Sequence, residues 1–347
     1  MLDTTKTLCA LKGVSGWEDE VRDYILKQAE PLCHELYTDA LGNLMFFKKG
    51  RQAPDMTVML CAHMDEVGLI VTDICDSGYL KFDFIGGVDR RVVIGKRITV
   101  GPNSVPGIIS IKAIHLTSHD EENTIPETSD MYIDIGADSK DDALKQVSLG
   151  DCCVFDNSIY EYGDGFIKAK ALDDRAGCAA LLELMKTPLA YDCWFVFTSQ
   201  EEIGTRGAAV AAHRINPDIA LVLEGTTAAD LPQVSDDVCR LGDGLVIPFM
   251  DRGAVYDREL YSLLTRLAGE NGIKWQTKRK VAGGTDGSAI QKSRCGVKTA
   301  VIAVPLRSIH TPACTAKTAE IEALPVLAQL FLSALGELKH LGDFTVD

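Results

Sequence analysis

Apolar and polar residues alternate along this chain in two rhythms, and the change between them divides it. Residues 4–11 carry a short amphipathic helical pattern. After the break at Gly13-Val14-Ser15-Gly16, a second helical repeat spans 18–29 and stops at Pro31, whose ring cannot continue a helix. Residues 36–47 alternate about a Gly42-Asn43 turn and predict a hairpin. The unbroken apolar run at 57–62 predicts a buried strand that ends in His63-Met64-Asp65. From about 66 to 163 the only long helical pattern is 140–147. Short β-rich runs at 69–74, 79–84 and 107–114 are instead separated by glycines, prolines and acidic loops. The loop at 117–130, charged and carrying Pro126, is expected to be exposed and mobile.

Helix and strand patterns alternate afterwards. A strand at 166–171 leads into Leu172-Asp173-Asp174-Arg175 and an Ala/Leu helix over 176–185. Further strands are predicted at 192–198, at 219–223 before Glu224, and at 298–304. Helices are predicted at 207–212, 258–268, 287–292 and 324–341, the last with Leu327, Leu330, Phe331, Leu335 and Leu338 at helical spacing. The reading is an α/β fold, a mixed sheet flanked by helices, built from residues 1–66 and 164–347. Residues 67–163 form an inserted small β-barrel domain.

Composition narrows the class. A chain of 347 residues with 46% hydrophobic content can fill a core of one large or two smaller domains. Its 35 Lys and Arg against 50 Asp and Glu give a net charge of −15, which argues against nucleic acid and anionic membrane surfaces as partners. Residues 1–6 lack the pattern of a signal peptide, and no run of about 18 consecutive apolar residues is present to span a bilayer. Eleven cysteines without a Cys-x-x-Cys spacing encode neither a disulfide framework nor a zinc ribbon; free thiols in a reducing cytoplasm are expected.

The chemistry sits where predicted strands end. Thr198-Ser199-Gln200-Glu201-Glu202-Ile203-Gly204 stops an apolar strand at two adjacent carboxylates, and ligands of open α/β sheets bind just beyond such ends. With His63, Asp173, Glu224 and His310 at similar positions, two imidazoles and three carboxylates match a paired divalent centre in which one carboxylate is shared. Zn²⁺ suits this donor mixture best, with Co²⁺ or Mn²⁺ as alternatives. Asp65, two residues after His63, can take the proton of the ring's other nitrogen, and Glu201 is left as general base for a water. Each piece also has a plainer reading. Asp173-Asp174-Arg175 can be a helix cap with a surface ion pair, Asp65 a turn cap, and His310, close to Pro312, a loop residue.

Five motifs in order carry a family resemblance over nearly the whole chain. They are Ala62-His63-Met64-Asp65-Glu66-Val67-Gly68, Ala171-Leu172-Asp173-Asp174-Arg175, Gln200-Glu201-Glu202-Ile203-Gly204-Thr205-Arg206-Gly207, Gly283-Gly284-Thr285-Asp286 and Pro305-Leu306-Arg307-Ser308-Ile309-His310-Thr311-Pro312. Together they resemble the tetrahedral (TET) aminopeptidases, family 42 of the metallopeptidases, which includes glutamyl, leucyl and lysyl aminopeptidases and members labelled endoglucanase. The resemblance implies His63 and His310 as terminal ligands, Asp173 as bridge, Glu202 and Glu224 as the remaining ligands and Glu201 as base. It also implies that the insert is a dimerisation domain and that dimers build a hollow homo-dodecamer with inward-facing sites. Two positions depart from the pattern: many members have Asp where Glu224 stands, and often Glu where Cys314 stands.

The expected reaction is removal of the N-terminal residue from short peptides with a free α-amine. Gly284, Thr285 and Asp286 would let backbone approach substrate or form a plain turn, and Arg307 is either a clamp or a surface charge. A glycoside hydrolase using paired carboxylates is one rival, but its carboxyls must flank a bond about 5–9.5 Å apart, and it leaves both histidines unexplained. A non-catalytic scaffold of the same fold is the other.

Overall fold

The computed structural model describes residues 1–335 apart from positions 54, 120–122, 157, 233 and 235–237, so residues 336–341 of the last expected helix, with Leu338, lie outside the described residues. The chain builds one eight-stranded mixed sheet, a closed six-stranded barrel and a small three-stranded sheet. Strands run across the large sheet in the order Glu35–Thr38, Leu44–Lys48, Cys193–Thr198, Val58–His63, Ile219–Thr227, Lys298–Leu306, Leu245–Val246 and Trp275–Gln276. The middle four are parallel, so their carboxyl ends share one edge.

Parallel strands covered on both faces are apolar at every position, which is why the sequence runs at 58–62 and 193–197 are unbroken. Successive residues then serve opposite sides. Leu60, Ala62, Phe195 and Phe197 pack with the helices Leu2–Ala10, Leu172–Met185 and Thr318–Leu335, whereas Met59, Cys61 and Val196 pack with Arg206–Ile215 and Gly287–Gln291. Phe46 meets Phe197 edge-on, with ring centroids 5.8 Å apart. Helix Thr318–Leu335 is long and apolar enough by itself to cross a membrane, but Ile321, Leu324, Leu327, Ala328 and Phe331 are buried in this core.

The barrel is formed by Gly68–Ile74, Leu80–Ile85, Arg97–Val100, Val105–Ile111, Met131–Asp134 and Cys152–Phe155, with its own interior of Leu69, Val71, Leu80, Ile98, Ile109 and Ile133. It closes at Phe155. Tyr160–Tyr162 turns back to pair with Phe166–Ala169, which pairs with Cys314–Lys317, so this small sheet ties the exit of the insert to the main body. Of the helical pattern at 140–147, only Lys140–Ala143 is helix. The two-residue strands Leu245–Val246 and Trp275–Gln276 are too short to give a periodic signal.

Candidate active site

Strand register brings the rim residues together. Thr198 pairs with His63 and Val222 with Cys61, so Glu224, two residues on, lies beside His63 at the same height. Glu224 was expected at the end of its strand. The strand instead continues to Thr227, because Lys298–Leu306 keeps pairing with it on the other side. Asp173 approaches from the start of helix Leu172–Met185, and the Asp173-Asp174 peptide is cis. The approach needs Gly225: a Cβ there would stand 2.8 Å from Asp173 Oδ1 and 2.6 Å from Leu306 Cδ1.

Two imidazoles face one carboxylate. His63 Nε2 lies 3.4 Å from Asp173 Oδ1 and 3.3 Å from Glu224 Oε1, while His310 Nε2 lies 3.4 Å from Asp173 Oδ2 and 3.2 Å from Glu202 Oε2. The outer ring nitrogens meet only acceptors. His63 Nδ1 is 3.2 Å from the Asp65 carbonyl and 3.4 Å from Asp65 Oδ1, and His310 Nδ1 is 3.0 Å from the Gly87 carbonyl. Because an oxygen of this kind can only accept, Nδ1 carries a proton in both rings, which leaves Nε2, turned inward among the carboxylates, as the nitrogen that a cation would take in place of a proton. Ligand-capable atoms of His63, Asp173 and Glu202, and of His63, Asp174 and Glu224, lie within 4.8 Å of one another.

Asp65 is buried below this layer and does not line the cavity. Its carboxylate accepts from the amides of Glu201 (2.9 Å) and Glu202 (3.0 Å) and from Ser15 Oγ (2.6 Å), so it orients three site residues at once. Expected to take the proton of the other His63 nitrogen, it stands 3.4 Å from that nitrogen and positions these neighbours as well. Burial alone would raise its pKa, but hydrogen bonds from His63, Ser15 and the Glu201 amide hold it below the ordinary carboxylate range. Glu18 clasps the same loop, accepting from the Gln200 amide at 3.1 Å. Asp174, buried, accepts from the His63 amide (3.2 Å) and the Gly177 amide (2.9 Å), and only glycine at 177 leaves room for it. Sequence reasoning passed over Asp174, Glu18 and Ser15 as site residues, because a carboxylate serving backbone amides, or a hydroxyl serving a buried carboxylate, has no spacing signal.

The electrostatics are those of crowded buried carboxylates. Burial pushes Glu202 and Glu224 up to about 8 and Glu201 well above its ordinary range, with neighbouring carboxylates adding to each. Burial works the other way on the imidazoles, yet the surrounding carboxylates carry His63 well above and His310 up to about 9. Asp173 Oδ1 and Glu224 Oε2 are buried without a hydrogen-bond partner. Ala171, Gln200 and His310 adopt left-handed backbone, with φ of 53°, 57° and 58°. Such conformations cost on the order of 1–3 kcal/mol each for residues other than glycine and persist where surrounding contacts dictate them.

A cavity of about 360 Å³ opens onto this cluster, lined by Asp173, Glu201, Glu202, Glu224 and His310 and, further along, by Gly284 and Thr285. Asp286 and Arg307, for which a substrate contact and a plain structural role both stood open, do not line it. Asp286 is fully buried and holds Thr198 Oγ1 and Cys61 Sγ beneath the sheet edge, and Arg307 is committed to an ion pair with Asp230, its Nε 2.7 Å from Oδ1. Cys314 is buried in the small sheet, and His310 is steadied from the barrel side by Gly87.

Similarity to known proteins agrees with this geometry. The family profile of the M42 glutamyl aminopeptidases matches residues 42–327. A relative from Acetivibrio thermocellus with a provisional aminopeptidase name is 38% identical, covering 92% of this chain and 95% of its own length. The lysyl aminopeptidase of Pyrococcus furiosus is 30% identical (98% of each chain), and the glutamyl aminopeptidase of Lactococcus lactis 29% (90% of each). Among solved structures, a TET aminopeptidase from the archaeon Thaumarchaeota SCGC AB-539-E09 superposes with a TM-score of 0.94 at 32% identity over 99% of this chain and 98% of its own. A Thermotoga maritima protein described as an endoglucanase gives 0.80 at 35% identity over 96% and 97%. The chain belongs to the M42 glutamyl aminopeptidase family and is a metal-dependent aminopeptidase.

Proposed function

We propose that His63, Glu224 and Asp173 hold one divalent cation, that His310, Glu202 and Asp173 hold a second, and that Glu201 carries the proton during removal of the N-terminal residue from short peptides. The supporting observation is Asp173, whose two oxygens each face a different imidazole that is itself beside a further carboxylate. The donor set fits cations. Two of its carboxylate oxygens are buried without a partner, and so many carboxyl groups in one cavity repel one another unless positive charge stands between them. Nitrogen and oxygen donors favour Zn²⁺, with Co²⁺ or Mn²⁺ as alternatives.

Cations bound there would acidify a water and polarise the scissile carbonyl. Glu201 lines the cavity with its carboxyl biased toward protonation by burial, which suits a group that takes a proton from water and returns it to the leaving amine. The acidic rim suits an α-ammonium, so unblocked N-termini are the substrates. A glycosidase reading gives no work to the paired histidines, and a scaffold reading gives none to Glu201. The test is chelation with EDTA and re-addition of each metal, assayed on matched free and N-acetylated peptides. Restored cleavage of the free set alone is expected; cleavage of blocked peptides, or of cellulose oligomers, would contradict the proposal.

The barrel is proposed as the dimerising surface of a homo-dodecamer. Exposed Ile108, Ile111, Ile114, Leu116 and Ile125 on and beside it form the kind of apolar surface that association covers, and a solved structure 32% identical to this chain, PhTET1-12s, is described as a dodecamer. Eleven free cysteines support a reducing, cytoplasmic setting.

A further inference from the structure

A second cavity, of about 460 Å³, lies between the start of helix Thr318–Leu335 and the sheet-edge strands Leu245–Val246 and Trp275–Gln276. Its volume is in the range of small-molecule sites. Glu320, 4% exposed, lines it. Gly242 and Gly244, both in left-handed backbone with φ of 92° and 99°, aim their amides at Glu320 Oε1 from 2.7 and 3.0 Å. Only glycine serves at 244, where a Cβ would stand 2.1 Å from the Lys274 carbonyl oxygen. The carboxylate is thereby fixed through one oxygen, and the other, Oε2, is buried with no hydrogen-bond partner among the described residues. Such an oxygen is costly to bury and gains most from a ligand that brings it a donor. Ala319, Ala323 and Val326, at helical spacing, and Leu245 and Ile273 from the sheet edge give the cavity an apolar wall. Lys274, exposed, and Lys317, half-buried, complete the lining. Of the three N–H groups of its ammonium, Lys317 gives one to the Asp164 carbonyl, and its Nζ stands 4.1 Å from the Phe166 ring centroid. Lys317 and, with opposite sign, Asp243 act on Glu320 from nearby, whereas Arg307 is paired with Asp230. The two cavities stand back to back. Successive side chains of a strand point opposite ways, so Leu245 lines this cavity and Val246 the catalytic one.

We propose that this second cavity binds a free α-amino acid with an apolar side chain. The ligand's ammonium meets Glu320 Oε2, its carboxylate meets the two lysines, and its side chain lies on the apolar wall. One fixed acid and two lysines around apolar surface match the opposite charges of that zwitterion. The site is separate from the catalytic centre and stands whether or not the peptidase reading does; on that reading, its ligand belongs to the class of molecule that cleavage releases.

The test is equilibrium dialysis of the full-length protein against labelled L-leucine at about pH 8, where Glu320, raised by burial to about 7, is ionised. It is run on metal-loaded protein and again after EDTA. Leucine held by the catalytic centre should leave with the metals, whereas this cavity should keep one equivalent per chain, with a dissociation constant on the order of 1 mM. Glu320→Gln retains an acceptor for both glycine amides and loses the charge, so it should weaken that binding about 10- to 100-fold, the worth of one hydrogen bond to a charged group. Ala323→Phe, which fills the cavity, should abolish it. Two further ligands test the wild type without any substitution: N-acetyl-leucine, which lacks the ammonium, and isoamylamine, which lacks the carboxylate, should each bind about tenfold more weakly or worse. The assignment would be overturned by no leucine uptake after EDTA, by uptake within about threefold of wild type in Glu320→Gln, or by either truncated ligand binding as well as leucine. Failure of the peptidase reading looks different: metal-loaded protein would leave unblocked peptides uncut while the leucine equivalent remained.

Discussion

Replacing Asp65 by asparagine keeps the volume and removes the charge, and the structure says what that costs. The carboxylate takes three hydrogen bonds, from Ser15 Oγ (2.6 Å), the Glu201 amide (2.9 Å) and the Glu202 amide (3.0 Å), with His63 Nδ1 3.4 Å away. An asparagine side chain has one acceptor oxygen, and its NH₂ must face at least one of those donors. One buried amide is then left without a partner, worth about 1–3 kcal/mol, and the surviving bonds lose their charge assistance. The sum is on the order of 3 kcal/mol of stability. Two proposed ligands, His63 and Glu202, also lose the group that orients them, and supporting partners of this kind are worth about 10- to 100-fold in metal affinity. Urea unfolding of the metal-free protein reads the first quantity, and competition with a chelator reads the second. Ser15→Ala, which removes a single hydroxyl donor, should show a small fraction of both. Asp65→Asn with stability within about 0.5 kcal/mol of wild type and metal affinity within threefold would refute the reasoning.

Other outcomes follow from the same geometry. Glu201→Gln should retain metal and assembly but lose about 10²- to 10⁴-fold or more in kcat, measured on unblocked anilides; activity within tenfold of wild type would remove Glu201 from proton transfer. Glu320, which does not line the catalytic cavity, accepts from the amides of Gly242 (2.7 Å) and Gly244 (3.0 Å), and burial raises its pKa to about 7. The folded state therefore holds this proton more tightly than the unfolded one, so stability from this group is full below about pH 4.5 and is lost as pH rises toward 7. Glu320→Gln should remove that dependence, a difference on the order of 3 kcal/mol between the two pH values in comparative melts, and parallel pH curves for the two proteins would count against it. Charge substitution of the exposed barrel residues, such as Ile114→Asp, should shift the protein to smaller species in sedimentation while leaving the barrel folded.

Much of this architecture was legible because burial on both faces leaves an unmistakable mark. The runs at 58–62, 193–197 and 300–306 are apolar without interruption, and the polar stops of the first two, at His63 and at Glu201 and Glu202, follow directly. The loss of helical period between 66 and 163 marked the barrel. Glu224 was harder to place, since a carboxylate inside a pairing strand resembles one that ends it. The readings of Asp286 and Arg307 stayed open for a physical reason: a polar residue near a site motif has the same letter whether it faces the cavity, as Thr285 does, or is bound to Thr198 or Asp230. The tautomer of His310 was not legible at all, because it depends on Gly87, 223 positions away.

The central claim is that two cations share Asp173 between His63 and His310. Metal-depleted protein titrated with Zn²⁺ should bind two equivalents per chain, with peptide hydrolysis returning as they fill, and His63→Ala and His310→Ala should each lower the count to one. A single equivalent at saturation with full activity, or an unchanged count in both variants, would contradict it.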